Sequence, residues 1–172
     1  PHAGYVYSGS TAAQAYALLA PWRQTIRRVV LLGPVHRVAV RGLALPGVDA
    51  MATPLGEVRL DPVAADALRR LPQVVTSAAA HAQEHSLEVQ LPFLQLVLEA
   101  FTLVPLAVGD ATPDEVCEAL EAVWGGPETL FVISSDLSHF LSHAQAQAVD
   151  RQSVQTLLAL QPTLGHRQAC GA

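Results

Sequence analysis

Short apolar runs that end abruptly in polar or glycine-rich residues recur along this chain. Three of them have the composition of β-strands, 29–32, 101–108 and 130–133. Polar side chains follow these runs within a few residues, namely His36, Asp110, Ser134, Ser135, Asp136 and His139. The carboxyl ends of parallel strands meet at one edge of an α/β sheet, where ligands bind. We therefore expect these side chains to line one edge of a sheet.

Helical patterns alternate with the apolar runs from residue 29 onward. Asp61 with Pro62 predicts a capped helix start, and Thr112 with Glu115 predicts a capping box. Further predicted segments are a helix over 11–20 capped by Ser10, extended pieces and turns over 38–60, an amphipathic stretch over 81–99 with a kink or boundary at Pro92, and a helix over 141–160. The alternation predicts one α/β domain over 1–172, a sandwich with a largely parallel central sheet flanked by helices.

Composition removes several function classes. The 172 residues are 51% hydrophobic and carry a net charge of −5 without a basic stripe, so we expect a well-buried globular protein without a nucleic-acid partner. All ten basic side chains are Arg, which excludes Schiff-base lysines and the phosphate-binding P-loop. Pro92, Glu99 and Pro105 interrupt the most apolar window, so no membrane association is expected. Two cysteines cannot form a disulfide framework, which favours a reducing, cytoplasmic setting.

Several residues are candidates for chemistry. His2, His36 and His139 lie in loops, where imidazoles can converge on a metal or a substrate, although a single loop histidine is more often ordinary. His81, Glu84 and His85 match H-x-x-E-H, the inverted zinc-protease pattern. A solvated helix start explains the same residues more simply. The segment 134–139 contains Ser, Asp and His, the residue types of a serine-hydrolase triad. It has no G-x-S-x-G motif, however, which disfavours a serine hydrolase. We expect Cys117 to be a small core side chain and Cys170 to be a loop thiol suited to a metal.

Taken together, the motifs resemble the Memo family. The matching segments are Pro-His-Ala-Gly-Tyr at 1–5, Leu-Gly-Pro-Val-His at 32–36, Thr-Pro-Leu-Gly at 53–56, Glu-His-Ser-Leu-Glu at 84–88 with Leu-Pro at 91–92, Val-Gly at 108–109, Ser-Ser-Asp at 134–136 with His139, and Ala-Cys-Gly at 169–171. They cover essentially the whole chain in the family's order. The resemblance implies the fold of the class III extradiol dioxygenases, with a single-metal pocket.

The resemblance also implies roles for individual residues. Metal ligands would be His2, His36 and Cys170, with His139 as acid/base candidate and Asp136 beside it. Residues of the pocket wall or of the layer behind it would be His85, Glu88, Arg37 and Ser135. Two imidazoles and a thiolate suit iron(II) or copper, and zinc is an alternative. The dioxygenases of this fold use a carboxylate as third ligand, so Cys170 argues against ring cleavage.

Two functional hypotheses follow. The first is a metal-dependent redox enzyme in which His139 moves a proton and Asp136 orients it. The second is a non-catalytic module that captures a small molecule or a peptide, with Arg37 supplying positive charge. The resemblance further implies a radical-SAM protein and an AMMECR1-like protein as partners. Because the chain is shorter than family members, we expect a fragment lacking N- and C-terminal portions, with reduced stability, an exposed sheet edge, and looser placement of His2 and Cys170.

Overall fold

The computed structural model of this chain describes residues 1–161, 164 and 168–170. These residues belong to two compact units. The larger unit is His2–Ser134, and the smaller one comprises Pro1 and the described part of Ser135–Ala172. The assignment of one domain to 1–172 stays a prediction.

The larger unit alternates strands and helices, as the sequence predicts. Its elements are α1 (Tyr5–Ala17), a short 3-10 helix (Ala20–Trp22), β1 (Arg28–Pro34), β2 (Leu43–Leu45), β3 (Ala50–Thr53), β4 (Gly56–Arg59), α2 (Pro62–Leu68), β5 (Val74–Thr76), α3 (Ala78–Ala82), α4 (His85–Glu88), α5 (Leu91–Val97), β6 (Thr102–Val108), α6 (Pro113–Ala122) and β7 (Thr129–Ile133). The three strands foreseen from apolar runs are β1, β6 and β7. Sequence reasoning did not find β5, which is only three residues long.

Five strands form the central sheet in the order β5-β2-β6-β1-β7. β1 pairs in parallel with β6 and with β7, and β2 pairs in parallel with β5. The contact between β2 and β6 is antiparallel, and β3 and β4 form a separate hairpin. The prediction of an α/β fold with a largely parallel sheet is therefore confirmed. Since β1, β6 and β7 are parallel neighbours, their carboxyl ends do meet at one edge.

Strand β1 is buried on both faces because helices cover both sides of the sheet. Alternate residues of a strand point to opposite faces. Val29 and Leu31 pack in a cluster with side chains of α1, α4 and α5, whereas Val30 and Leu32 pack in a second cluster with side chains of α2 and α6. This two-sided burial explains why β1 is a continuous apolar run rather than an alternating one.

Two of the three predicted helix caps are confirmed, and the third helix starts at a different residue from the one predicted. The Asp61 side chain accepts the Ala64 N–H, and Thr112 and Glu115 form the capping box of α6. The first predicted helix is present, but its predicted start and its cap at Ser10 were wrong, because α1 begins at Tyr5 and Ser10 lies inside it. Its N-cap, Gly4, makes no side-chain hydrogen bond, so the start carries no capping signal that the sequence would reveal.

The stretch over 81–99 is three short helices rather than one. α3 ends before Gln83, α4 begins after Glu84, and α5 has Pro92 in its first turn, which confirms a boundary at that proline. The apolar residues of the stripe remain on one buried side, namely Leu87, Leu91, Leu94 and Leu98. The helical period therefore predicted correctly which residues are buried, although the helix is interrupted twice.

Cys117 is exposed on α6, so the prediction of a core side chain was wrong. The buried side of α6 carries Ala119 and Val123, with Val116 and Leu120 partly buried beside them. These four positions follow the helical spacing i, i+3, i+4, i+7, and Cys117 falls one residue outside that stripe.

The smaller unit contains one helix among its described residues, α7 (His143–Leu158), as predicted for 141–160. Its Ser142 forms a capping box with Gln145. The Asp150 carboxylate of α7 accepts the Ser138 N–H at 2.9 Å, which ties the preceding loop to the helix. Across the described residues of both units, no helix has the length and apolarity that crossing a membrane requires.

Candidate metal centre

Three histidines of the larger unit come together although they are far apart in the sequence. His2 precedes α1, His36 follows β1, and His85 is the first residue of α4. Each offers a ring nitrogen, and the three nitrogens lie within 4.8 Å of one another. Ring centroids are separated by 4.9 Å for His36 and His85 and by 5.3 Å for His2 and His36. Imidazole nitrogens converging in this way are a typical donor set for zinc, copper or iron.

The Glu84 carboxylate lies behind two of these rings. Oε1 is 2.8 Å from His36 Nδ1 and accepts the backbone N–H groups of His85 and Ser86 at 2.9 and 3.0 Å. The other oxygen, Oε2, accepts the backbone N–H of His36. Glu84 is only 3% exposed, and it is the N-cap of α4. One carboxylate therefore joins the loop after β1 to the start of a helix.

Glu84 is ionised despite its burial. Desolvation favours the neutral carboxyl, but hydrogen bonds from the His36 ring and from the backbone of Ser86 and His36 outweigh it and lower the pKa of Glu84 to about 2. A carboxylate has no proton to donate, so His36 Nδ1 must be the donor. In neutral His36 the lone pair is then on Nε2. Metal-binding histidines in proteins are commonly held in this way by a carboxylate on the other ring nitrogen.

His2 is held from another side. It is 1% exposed, and its Nδ1 lies 2.9 Å from the hydroxyl of Ser134, the residue after β7. Ser134 donates to the Ser86 carbonyl at 2.6 Å, and its backbone N–H donates to the Leu32 carbonyl at 2.7 Å. The loop after β7 therefore reaches both the end of β1 and the start of α4 within the larger unit.

In the smaller unit, Asp136, His139 and Cys170 lie near one another. Cys170 Sγ is 3.8 Å from His139 Nε2, and the Cys170 backbone N–H donates to the Asp136 carbonyl at 3.1 Å. The distance from His139 Nε2 to Asp136 Oδ2 is 4.0 Å, which allows electrostatic attraction and is too long for a hydrogen bond. This cluster places the predicted thiol beside the predicted acid/base histidine.

Comparison with known proteins decides the family. The model of the family described as Memo-like protein matches residues 1–167. A MEMO1 family protein of Methanopyrus kandleri is 42% identical over 167 residues, covering 93% of this chain and 59% of that protein. The chain belongs to the Memo family.

Other curated Memo relatives match over similar spans. A MEMO1 family protein of Archaeoglobus fulgidus is 35% identical over 170 residues, covering 93% of this chain and 61% of the relative. One from Aquifex aeolicus is 36% identical over 154 residues, covering 87% and 56%. The chain thus spans about three fifths of the length of the curated relatives it matches.

The remaining predicted site residues of this Memo chain occupy varied positions. Arg37 and Glu88 are exposed, and Ser135 donates its hydroxyl proton to the Asp136 carbonyl at 2.8 Å. His85, expected in the pocket wall, contributes a ring nitrogen to the three-histidine cluster. Gly171, which closes the last family motif, lies outside the described residues, whereas Cys170 is described.

The H-x-x-E-H pattern does not form the helical zinc site that it resembles. His81 lies on α3, while Glu84 and His85 belong to the start of α4, so the two histidines are not one turn apart on a single helix. His81 Nε2 lies 2.8 Å from the Ala44 carbonyl, and desolvation lowers the pKa of His81. His81 therefore packs against the sheet, and the structural premise of the zinc-hydrolase alternative was wrong.

Sequence reasoning missed the side chains that support the imidazoles. Glu84 and Ser134 were named in sequence motifs without a predicted contact to an imidazole, and Gln90 was not named. Gln90 is 2% exposed although it is polar, and it interrupts the stripe of Leu87, Leu91 and Leu94. A polar residue inside an apolar helical stripe was the available signal.

Proposed function

We propose that this chain binds one metal ion and supports redox chemistry there, with His2 and His36 as imidazole ligands. The observation that carries the proposal is the Glu84–His36 contact, which in neutral His36 puts the lone pair on Nε2, close to the rings of His2 and His85. Burying an ionised carboxylate and a polar histidine is costly unless their hydrogen bonds are satisfied. Such an arrangement at the end of β1 is typical of a binding site.

The donor set fits a first-row transition metal. Neutral imidazole suits zinc, copper and iron, and we propose Cys170, on the strength of the family resemblance, as a further, thiolate ligand. We propose iron(II) or copper as the ion, with zinc as the alternative. When bound, a redox-active ion supplies one-electron chemistry and polarises a substrate that reaches it.

The protein's own side chains would orient the ligands and move protons. Glu84 fixes the ring of His36 through Nδ1, so that this imidazole need not reorient when the ion binds. We propose His139 as the proton carrier, with the Asp136 carboxylate 4.0 Å from its Nε2 as the group that orients it. His139 is half-exposed, which lets it exchange protons with solvent.

A second candidate function is ligand capture without turnover. Arg37 is exposed directly after His36, whose side chain is 33% exposed. A guanidinium beside a metal-binding imidazole would attract an anionic small molecule or an acidic peptide group. This module would keep its function without His139 and lose it without Arg37.

Metal content measured by elemental analysis tests the first proposal. The full chain is purified without oxygen and without a metal-scavenging tag, together with His36→Ala, His81→Ala and His143→Ala. His143 is an exposed residue at the start of α7 and controls for loss of an unrelated imidazole.

We expect about one iron or copper per chain in the unchanged protein, lost in His36→Ala and retained in His81→Ala and His143→Ala. Metal that is retained in His36→Ala, or absent from the unchanged protein, overturns the metal proposal. Metal that depends on His81 and not on His36 would also overturn the assignment of His36 as a ligand. For the redox step, His139→Ala should keep the metal and lose turnover. If His139→Ala instead binds an anionic ligand as tightly as the unchanged chain does, and Arg37→Ala loses that affinity, the capture module is favoured.

A further inference from the structure

The hydroxyl of Ser134 is the centre of a buried hydrogen-bond network in the larger unit. Ser134 is 3% exposed, and among the described residues three groups lie within hydrogen-bond distance of its Oγ. They are the Ser86 carbonyl at 2.6 Å, Gln90 Nε2 at 3.0 Å and His2 Nδ1 at 2.9 Å. Gln90 is held in turn by Tyr16, whose hydroxyl is 2.8 Å from Gln90 Oε1.

Counting protons determines which group donates in each contact. A serine hydroxyl has one proton to donate and two lone pairs that accept. The Ser86 carbonyl can only accept, so the Ser134 proton is directed to it. Gln90 then donates its amide N–H to Ser134, and Tyr16 donates its hydroxyl proton to the Gln90 oxygen. One lone pair of Ser134 is left to accept from His2.

The nitrogen of His2 that faces Ser134 must therefore carry a proton. If Nδ1 were unprotonated, two lone pairs would face each other at 2.9 Å in a buried site, which is strongly unfavourable. In neutral His2 a proton on Nδ1 leaves the lone pair on Nε2.

We propose that Ser134 is a positioning residue that holds His2 in the Nδ1–H tautomer, with Gln90 and Tyr16 directing the Ser134 hydroxyl. This inference rests on the metal site proposed above. Ser134 acts on His2 as Glu84 acts on His36, but through a neutral oxygen. Different groups thus determine the two tautomers. The ionised carboxylate of Glu84 accepts from His36, and the hydroxyl of Ser134, whose own proton is donated to the Ser86 carbonyl, accepts from His2.

The network also fixes the ring plane of His2. The ring is 1% exposed and stands at 69° to the ring of His36 and at 87° to that of His85. Rotation about its side-chain bonds would break the hydrogen bond to Ser134, and the site is too buried for water to replace it. A metal would then meet a ligand that is already oriented, which lowers the cost of binding.

The tautomer can be read directly from nitrogen chemical shifts of the metal-free full chain. Protein with ¹⁵N-labelled histidine is recorded above the ordinary histidine pKa for the unchanged chain, Ser134→Ala, Ser134→Thr and Ser153→Ala. Ser153 is another fully buried serine, on α7, and controls for the loss of a buried hydroxyl. His2 signals are assigned by their disappearance in His2→Gln.

We expect His2 to show a protonated Nδ1 and an unprotonated Nε2 in the unchanged chain, in Ser134→Thr and in Ser153→Ala. Ser134→Ala should shift the population toward Nε2–H. An Nε2–H tautomer in the unchanged chain overturns the proposal by itself, even where a variant fails to fold. An unaltered tautomer in folded Ser134→Ala also overturns it.

Metal affinity, measured by competition with a chelator, gives the second readout. Ser134→Ala should bind the ion about 10- to 100-fold more weakly, as other losses of a supporting group do, whereas Ser134→Thr should stay close to the unchanged chain. If the unchanged chain binds no metal, the proposed function fails while the tautomer result still decides the role of Ser134. If metal binds and Ser134→Ala has full affinity, the positioning role fails while the metal site stands.

Discussion

The Glu84 carboxylate accepts both the backbone N–H and the ring Nδ1–H of His36, across 48 residues of sequence. The first contact fixes where the loop after β1 lies, and the second fixes the tautomer of its histidine. Because the same carboxylate also caps α4, one side chain both fixes the start of the helix and orients the ring of His36. Removing this charge should therefore alter stability and metal affinity together.

Glu84→Gln should destabilise the protein and weaken metal binding. The amide has one acceptor oxygen where the carboxylate has two, so a donor N–H group must face another donor in a buried site. We expect a loss of roughly 3 kcal/mol in unfolding free energy, measured by urea denaturation. Metal affinity should fall about 10- to 100-fold. Glu88→Gln, an exposed change on the same helix, should leave both quantities nearly unaltered.

Gly33→Ala should be destabilising because α4 presses on the end of β1. A Cβ atom at this glycine would lie 2.8 Å from Ser86 Oγ and 3.0 Å from Leu87 Cδ2. We expect a loss of about 1–3 kcal/mol in thermal or chemical unfolding, as for other overpacked sites. The contrasting variant is Gly9→Ala inside α1, where the nearest atom is 3.4 Å away. That change should stabilise by about 0.5–1 kcal/mol, since alanine favours helix over glycine.

Asp61 joins the start of α2 to β1 and β6, so its loss should affect more than one element. Its carboxylate accepts the Ala64 N–H at 3.0 Å and the Arg28 Nε–H at 2.9 Å. Asp61→Ala should cost roughly 2 kcal/mol, combining a lost cap with a lost charged hydrogen bond. Asp61→Asn keeps a capping oxygen and should cost less. Equal losses in the two variants would show that the cap contributes nothing beyond the charged contact with Arg28.

The Asp61 contribution should depend on pH. Burial raises its pKa, but hydrogen bonds from Ala64 and Arg28 outweigh burial and leave the pKa below the ordinary aspartate value. A lowered folded-state pKa gives stability that is full above the unfolded-state pKa, near 3.8, and is lost as pH falls through the folded value. The difference in unfolding free energy between the unchanged chain and Asp61→Asn should therefore shrink below about pH 4. A difference that stays constant down to acid denaturation would contradict this assignment.

Cys117 should react rapidly with a thiol reagent in the folded protein. It is exposed on α6, outside the stripe that packs against the sheet. Mass spectrometry after brief labelling should find the modification at Cys117, and Cys117→Ser should change stability by less than about 0.5 kcal/mol. Protection of Cys117 until the protein unfolds would mean that this face of α6 is covered.

Much of the architecture could be predicted from short segments of the sequence. The runs at 29–32, 101–108 and 130–133 became β1, β6 and β7, and Asp61 and Thr112 cap the helices that their positions predicted. Strand periodicity and capping depend on a few neighbouring residues, so the sequence states them directly. The helix over 11–20 failed at its start because Gly4 caps α1 without any side chain.

The supporting side chains of the candidate site were beyond local reasoning. His2 and Ser134 are 132 residues apart, and the contact exists only because β7 pairs beside β1 and ends next to α4. The H-x-x-E-H pattern misled for the same reason. Glu84 turns to cap α4 and to bind His36, and a side chain that satisfies the backbone can end one helix and begin another.

The sequence by itself determined the alternation of strands and helices, the family motifs, and the residue types that could bind a metal. Only the tertiary structure decided that His85 joins His2 and His36, that Cys117 faces solvent, and which groups lie against the ring nitrogens of His2 and His36. The physical reason is the sequence separation over which each property is determined. Periodicity and caps are set by hydrogen bonds and burial within one or two turns of chain, whereas a tautomer is set by whichever buried acceptor the completed fold brings to the ring.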